Sequence, residues 1–384
     1  MKRLLMFWVI ISILLIFAAC GNGAVEEEYT HTYPEEIYEP YVPEEIYEPE
    51  TSIEYDEEPD CEPEPIIESV IPLDVALYYF QRLEELWDTD NGEIWGTPLH
   101  APVVIVCAET RDAVANMPDP LGRLTRQYVN GGAVYVGRYY PQGIVGETAV
   151  NWLGQRWGMV SWHYIDMASR HFYYEAVEEY HRWSWWMYDA SEAILTVMAH
   201  EAFHALQPEM FGIFGGSGVP GAWGATQIYY HLEVNALVKA FSSTDDERLA
   251  AINHALSIRH HRRQNFAVAR DENLMEVAEG LAVYTVDLRL LLNRDMIEAV
   301  VTSMPEMFMS VDSARGAAIM FGYFSGALYG LLLEDLGIDW KGYVDPNTDL
   351  GQLLKEALEI TDLTPFENID LTPYGYEEIS ARLR

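Results

Sequence analysis

The sequence has few basic residues and few cysteines. Of its 384 residues, 23 are Lys or Arg and 61 are Asp or Glu, which gives a formal net charge of −38. This imbalance excludes a protein that binds nucleic acid by neutralising phosphates, and it excludes direct electrostatic attraction to anionic lipid. Three cysteines are too few for the disulfide framework of a small secreted protein. A hydrophobic share of 49%, with 13% aromatics, excludes disorder throughout, and the length suits one large domain or two ordinary ones.

Basic residues are missing altogether from residues 21–70, which carry 18 acidic residues. Within this segment, Pro34-Glu-Glu-Ile-Tyr-Glu-Pro40 recurs as residues 43–49. Because proline blocks regular hydrogen bonding and like charges repel, we expect an extended, disordered tether. A tyrosine-bearing recognition motif is the alternative. The remainder, residues 71–384, has 43 acidic and 21 basic residues, a net charge of −22, so the tether holds nearly half of the negative charge.

The first twenty residues have the pattern of a signal peptide. Lys2 and Arg3 precede an apolar run over residues 4–19, and these 16 residues are fewer than the ~20 needed to span a bilayer. The run leads into Ala18-Ala19-Cys20-Gly21, which resembles the lipobox of bacterial lipoproteins, whose cysteine is lipidated and becomes the new N-terminus. The resemblance implies a lipid anchor on Cys20 that holds the protein on the extracytoplasmic face of the cell membrane. The alternatives are an ordinary secretory signal cleaved nearby and an uncleaved anchor.

Beyond the tether, the pattern changes midway along the chain. Apolar residues at helical spacing predict a helix over residues 73–87. Apolar runs rich in β-branched and aromatic residues predict strands over 102–108, 134–140 and 157–165. After about residue 189, the pattern is helical almost to the end. We therefore expect an α+β protein, with a mixed α/β lobe over residues 71–188 and a mainly helical lobe over residues 189–384.

The helical lobe contains an HExxH sequence, His200-Glu-Ala-Phe-His204. Histidines at i and i+4 lie one above the other on a helix, so both imidazoles can reach one Zn²⁺. Glu201, rotated by about 100°, can instead reach a metal-bound water and take its proton as the water attacks a carbonyl. Only about 0.05 chance matches are expected at this composition. A capping box at 189–192 predicts the start of a buried helix, and Pro208 predicts its end.

A catalytic zinc needs a third protein ligand from elsewhere, because one coordination position stays open. No His-x-x-Gly-x-x-His extension follows the motif, which disfavours a three-histidine site. One candidate is Glu279, within residues 276–285. The other is Glu233 on the intervening helical segment, although a buried glutamate there could instead pair with a ligand histidine, Arg259 or Arg262.

The motifs together resemble the gluzincins, HExxH peptidases whose third zinc ligand is a glutamate on a following helix. Aminopeptidase N-like members carry this glutamate in Asn-Glu-Gly-Phe-Ala-x-Tyr. Putative peptidases of the clan carry Glu-Gly-Leu-Ala-x-Tyr, which residues 279–284 match. The resemblance covers roughly residues 189–340 and implies a zincin-like catalytic lobe in which His200, His204 and Glu279 hold Zn²⁺.

The same resemblance carries implications for packing and for the oxyanion. Small residues at Gly280 and Ala282 suit a helix packed tightly against the HExxH helix. Residues 322–326 are similar to the family's Tyr-x-x-Gly helix. The similarity implies that Tyr323 donates a hydrogen bond to the oxyanion that forms when water attacks the peptide carbonyl. A core tyrosine beside glycine is the alternative. The family's Gly-x-Met-Glu-Asn motif, which binds a free amino end, is absent, so exopeptidase activity is not supported.

These features predict a membrane-tethered, extracytoplasmic zinc-dependent peptidase that acts on a peptide or protein substrate. The acidity of residues 71–384 favours neutral or basic peptides. One alternative is a catalytically inactive zincin-fold lipoprotein that binds envelope peptides or proteins, and the presence of Glu201 argues against it. The other alternative is a zinc hydrolase of a non-peptide amide.

Overall fold

The computed structural model describes residues 69–140, 146–167, 190–213, 223–311 and 313–383. The signal peptide with Cys20 and the acidic tether lie outside these ranges, as does Asp189 of the capping box. The lipid anchor and the tether therefore stay predictions.

The N-terminal half of the described chain forms one six-stranded sheet after helix α1 (Leu73–Asp90). Its strands are β1 (Val103–Val106), β2 (Asp112–Ala115), β3 (Thr125–Val129), β4 (Gly132–Arg138), β5 (Thr148–Trp152) and β6 (Gln155–Ser161). In the order β3-β4-β2-β1-β6-β5, only β1 and β6 run parallel. Two-residue turns at Asn130-Gly131 and Leu153-Gly154 have positive φ at both positions, which matches the twist of a hairpin.

The predicted helix over 73–87 and the three predicted strands are confirmed. The strands over 102–108 and 134–140 correspond to β1 and β4, whereas the one over 157–165 ends at Ser161 and gives way to helix. Strands β2, β3 and β5 were not predicted. Unlike β1, they lack a continuous apolar run, because β2 begins with Asp112, β3 begins with Thr125-Arg126-Gln127, and β5 contains Thr148 and Asn151.

The rest of the described chain is helical. Its α-helices are α2 (Ala190–Phe211), α3 (Trp223–Phe241), α4 (Asp245–Asn265), α5 (Ala269–Met275), α6 (Arg294–Met309), α7 (Ala314–Asp335), α8 (Leu350–Ala357) and α9 (Tyr376–Arg382). Helix α5 continues through two π-helical segments, Glu276–Gly280 and Val283–Leu290.

The expected end of the HExxH helix at Pro208 is wrong. Pro208 lies inside α2, which continues to Phe211. Gly212 closes the helix with a φ of +75°, and its N–H donates to the Pro208 carbonyl at 3.0 Å. Pro208 has no N–H to donate to the His204 carbonyl four residues earlier, so this one backbone hydrogen bond is missing, yet the helix continues for another three residues.

A continuous apolar core joins the sheet to the helices. The side chains of Val103 and Ile105 face this core, whereas Val104 and Val106 face a smaller cluster on the opposite side of the sheet, as alternation along a strand requires. Helix α7 is the one helix of the described chain with the length and composition to cross a membrane, but 89% of its most apolar stretch is buried inside the protein, as in a core helix. One sheet combined with many helices is compatible with the predicted α+β class.

Candidate metal centre

Helix α2 and the first π-helical segment bring His200, His204 and Glu279 together in the protein interior. One ligand atom from each of these side chains lies within 4.8 Å of the other two. Oε2 of Glu279 is 3.2 Å from Nε2 of His204 and 3.7 Å from Nε2 of His200. Two imidazoles and one carboxylate around a common point form a donor set that could hold a metal ion.

Strand β6 sets the position of the HExxH helix. A Cβ added to Gly158 would lie only 2.6 Å from the backbone nitrogen of Ala202 and from the carbonyl group of Glu201. The strand backbone therefore touches the helix backbone at the motif itself, and only glycine allows this approach.

The segment that carries Glu279 is held by helix α7. A Cβ on Gly280 would lie 2.6 Å from both the Gly322 carbonyl oxygen and Cα of Gly326, and a Cβ on Gly326 would lie 2.5 Å from the Glu276 carbonyl oxygen. The expectation that Gly280 packs against the HExxH helix is therefore corrected, because its close partner is α7. The π-helical turn at Glu276–Gly280 is a distortion that often occurs at functional sites.

A second layer of polar side chains surrounds the histidines. Nδ1 of His204 lies 2.9 Å from Oε1 of Gln207, and Nε2 of Gln207 donates to the Ala278 carbonyl at 2.5 Å. Nδ1 of His200 lies 3.8 Å from Oδ2 of Asp287, which is buried. Neither partner was predicted from the sequence. Gln207 was detectable in principle because it stands three residues after His204 on the same helix face, but no local pattern marks Asp287.

Glu201 is almost fully buried, with 1% of its surface exposed. Within the described residues, neither of its carboxylate oxygens has a hydrogen-bond partner. Its pKa is raised to about 7, mainly by burial and in smaller part by the charges of Glu279 and Glu147, against the opposing effect of the imidazoles of His204 and His200. A carboxylate with this pKa can accept and release a proton near neutrality.

The pKa shifts of the other groups show how strongly the carboxylates act on the histidines. Burial alone would lower the pKa of His200, yet the Asp287 and Glu279 carboxylates raise it to about 10. Burial likewise opposes the shift at Glu279, but the neighbouring histidines hold its pKa well below the usual range. Glu201, Glu279 and Asp287 place three buried carboxylates beside two imidazoles, and both ring nitrogens of His200 lack a hydrogen-bond partner among the described residues. This arrangement fits a divalent cation, because buried carboxylates need a positive partner.

Two further side chains lie at the centre. The ring of Tyr323 stacks on that of His200, with the ring centroids 6.2 Å apart and the planes within 10° of parallel. Pro208 cannot donate to the carbonyl of His204, four residues earlier, and Nε of Arg156 donates to it instead at 3.3 Å. Pro208 therefore leaves the His204 carbonyl oxygen free to accept a hydrogen bond from Arg156 on β6.

Glu233, the rival third ligand, belongs to a separate ion-pair cluster. Its Oε1 accepts from Nη1 of Arg259 at 3.1 Å and from the Tyr329 hydroxyl at 2.9 Å, and its Oε2 accepts from Arg262. This ion-pair cluster comprises Glu233, Glu272, Glu276, Asp349, Arg259, Arg262 and Arg263. Of the alternatives open for Glu233, the structure shows the ion pairs with Arg259 and Arg262, and they account for its burial without a metal.

Comparisons with known proteins add no identification. No protein-family profile, curated protein or solved structure matches the chain.

Proposed function

We propose that the protein is a zinc-dependent peptidase of gluzincin type, tethered to the membrane on its extracytoplasmic face through a lipid on Cys20. The observation that carries the proposal is the convergence of His200, His204 and Glu279 beside the buried carboxylate of Glu201. His200, His204 and Glu279 would hold the metal. We further propose the finer architecture expected from the sequence, a mixed α/β lobe followed by a helical zincin-like lobe, and we propose that the substrate cleft lies between them.

The chemistry divides between the metal and the side chains. Zn²⁺ in this site would supply a Lewis acid and acidify water. Glu201 accepts the proton of the attacking water and returns it to the leaving amine, which its pKa of about 7 permits. Tyr323, next to His200, donates a hydrogen bond to the developing oxyanion. Asp287, whose Oδ2 lies 3.8 Å from Nδ1 of His200, supplies a buried negative charge beside that imidazole.

The edge of the sheet favours an extended substrate. In the described part of the chain, β5 is an edge strand, and its only neighbour, β6, contacts the HExxH helix at Gly158. An extended peptide can add to such an edge through main-chain hydrogen bonds. Because such an edge suits an extended chain, it supports a peptide substrate over a compact non-peptide amide.

Metal analysis and peptide cleavage test the proposal on the full-length protein. We expect one zinc per chain and cleavage of members of a peptide library, read by mass spectrometry. Glu201→Gln should retain zinc and lose activity by a factor of ~10²–10⁴. Glu209→Gln, an exposed glutamate on the same helix, is the matched control and should retain both.

The outcomes separate the proposal from its alternatives. Stoichiometric zinc without peptide cleavage would favour an inactive lipoprotein that binds envelope peptides or proteins. Zinc with hydrolysis of a non-peptide amide alone would favour a different zinc hydrolase. Absence of zinc from the folded protein would contradict the metal site itself.

A further inference from the structure

Gln207 connects two parts of the candidate metal centre that lie far apart in the sequence. It stands on α2 with 2% of its surface exposed and contacts both His204 and the backbone just before Glu279. No motif in the sequence singles it out. Its contacts also fix the direction of each hydrogen bond, because the NH₂ group of the amide can only donate and the amide oxygen can only accept.

The orientation of the Gln207 amide follows from its neighbours. Nε2 lies 2.5 Å from the Ala278 carbonyl oxygen and 3.5 Å from the Val277 carbonyl oxygen. Carbonyl oxygens only accept hydrogen bonds, so the NH₂ group must face them. The amide oxygen Oε1 must therefore be the atom that lies 2.9 Å from Nδ1 of His204.

This orientation determines which nitrogen of His204 carries the proton. An amide oxygen cannot donate, so Nδ1 of His204 must be the donor. In the neutral imidazole, the lone pair is then on Nε2, the nitrogen that lies 3.2 Å from Oε2 of Glu279. We infer that Gln207 is a positioning residue that holds His204 in its Nδ1–H tautomer, with Nε2 directed at the metal, and ties the HExxH helix to the segment that bears Glu279.

The inference rests on the proposed zinc site, and its test is separate from peptidase activity. The full-length protein is labelled with ¹⁵N-histidine and loaded with zinc, and the signals of His204 are assigned by their loss in His204→Gln. Proton–nitrogen correlation spectra show which ring nitrogen carries the proton and how fast that proton exchanges with water. Zinc affinity is measured by competition with a chelator.

Two variants of Gln207 and one control carry the test. Gln207→Met removes the acceptor, so the Nδ1 proton should exchange at least tenfold faster and zinc should bind ~10–100-fold more weakly. Gln207→Glu keeps an acceptor for Nδ1 but loses the NH₂ group that donates to the Ala278 carbonyl, so zinc binding should weaken in this variant as well. Asn235→Leu removes another, partly buried amide, which donates to the Tyr374 carbonyl at 2.8 Å, and should leave both measurements unchanged.

Unchanged proton exchange and a zinc affinity within threefold of wild type in Gln207→Met would overturn the inference. If that variant does not fold, a spectrum of the zinc-loaded wild-type protein in which Nδ1 of His204 carries no proton, or one that exchanges rapidly, would overturn it equally. Failure of the wild-type protein to bind zinc would instead contradict the proposed metal site. Zinc binding without peptide cleavage would contradict only the proposed reaction.

Discussion

Replacing Glu233 and Glu279 separately by glutamine distinguishes a structural carboxylate from a metal ligand. Glu233 has no exposed surface and accepts hydrogen bonds from Arg259, Arg262 and Tyr329. Glutamine has the same shape but only one acceptor oxygen. Its NH₂ group must therefore face a donor that Glu233 now satisfies.

The size of the effect follows from the contacts that remain. Removing one partner of a buried ion pair costs about 3–5 kcal/mol. Arg262 keeps both of its hydrogen bonds to Glu272, at 2.8 and 2.9 Å, and Arg259 keeps two to Glu276, each at 2.6 Å. Because the guanidinium groups retain these partners, we expect Glu233→Gln to fall at the lower end of that range, about 3 kcal/mol of unfolding free energy.

Urea unfolding and zinc stoichiometry measure the two effects on the same samples. Glu233→Gln should unfold at lower urea but bind one zinc below the transition, whereas Glu279→Gln should lose zinc. Glu298→Gln is the control for loss of a glutamate charge, because Glu298 is exposed and pairs with Arg294 at 3.2 Å, so its cost should be below ~1 kcal/mol. Folded Glu233→Gln that lacks zinc, together with Glu279→Gln that retains it, would refute the assignment and make Glu233 the ligand.

Two further predictions concern stability. A Cβ in Gly326→Ala would lie 2.5 Å from the Glu276 carbonyl oxygen and 2.8 Å from Cα of Gly280. We therefore expect the unfolding free energy, measured with urea, to decrease by about 1–3 kcal/mol. Zinc should also bind more weakly, because the segment that bears Glu279 must move. Burial, with a smaller effect from Arg382, lowers the pKa of His231 to about 4. Between pH 6.5 and 4 the unfolded chain therefore binds a proton that the folded chain does not. The unfolding free energy should consequently fall by up to ~3 kcal/mol as the pH decreases through this window. In His231→Leu, the dependence of the unfolding free energy on pH should lack this contribution.

Each of these predictions has a matched control. Gly224→Ala adds a Cβ on helix α3 that meets nothing within 4 Å, so it should be neutral or stabilise by up to ~1 kcal/mol. Equal unfolding free energies of Gly326→Ala and Gly224→Ala would contradict the close approach of α7 to the segment that bears Glu279. His260 is exposed, so His260→Leu should leave the pH slope in place. A wild-type slope in His231→Leu between pH 6.5 and 4 would show that His231 does not contribute it.

The part of the site that could be predicted from sequence is the part that one helix determines. His200, Glu201 and His204 lie within five consecutive residues, so their relative positions follow from helical geometry once the helix forms. Strands β1, β4 and β6 could be predicted because they overlap the apolar stretches at residues 102–108, 134–140 and 157–165. Strands β2, β3 and β5 could not, because their short sequences gain stability mainly from neighbouring strands that pair with them.

The sequence by itself determined that two histidines and a glutamate share one helix, and that residues 21–70 contain no basic charge to offset their acidic residues. Only the tertiary structure decided which distant groups surround them. Glu279 approaches the histidines because glycines let its segment contact α7, and Glu233 does not join them because Arg259 and Arg262 bind it. The physical reason is that hydrogen bonds and ion pairs between remote segments depend on how backbones pack, and packing is not encoded in the local spacing of residues.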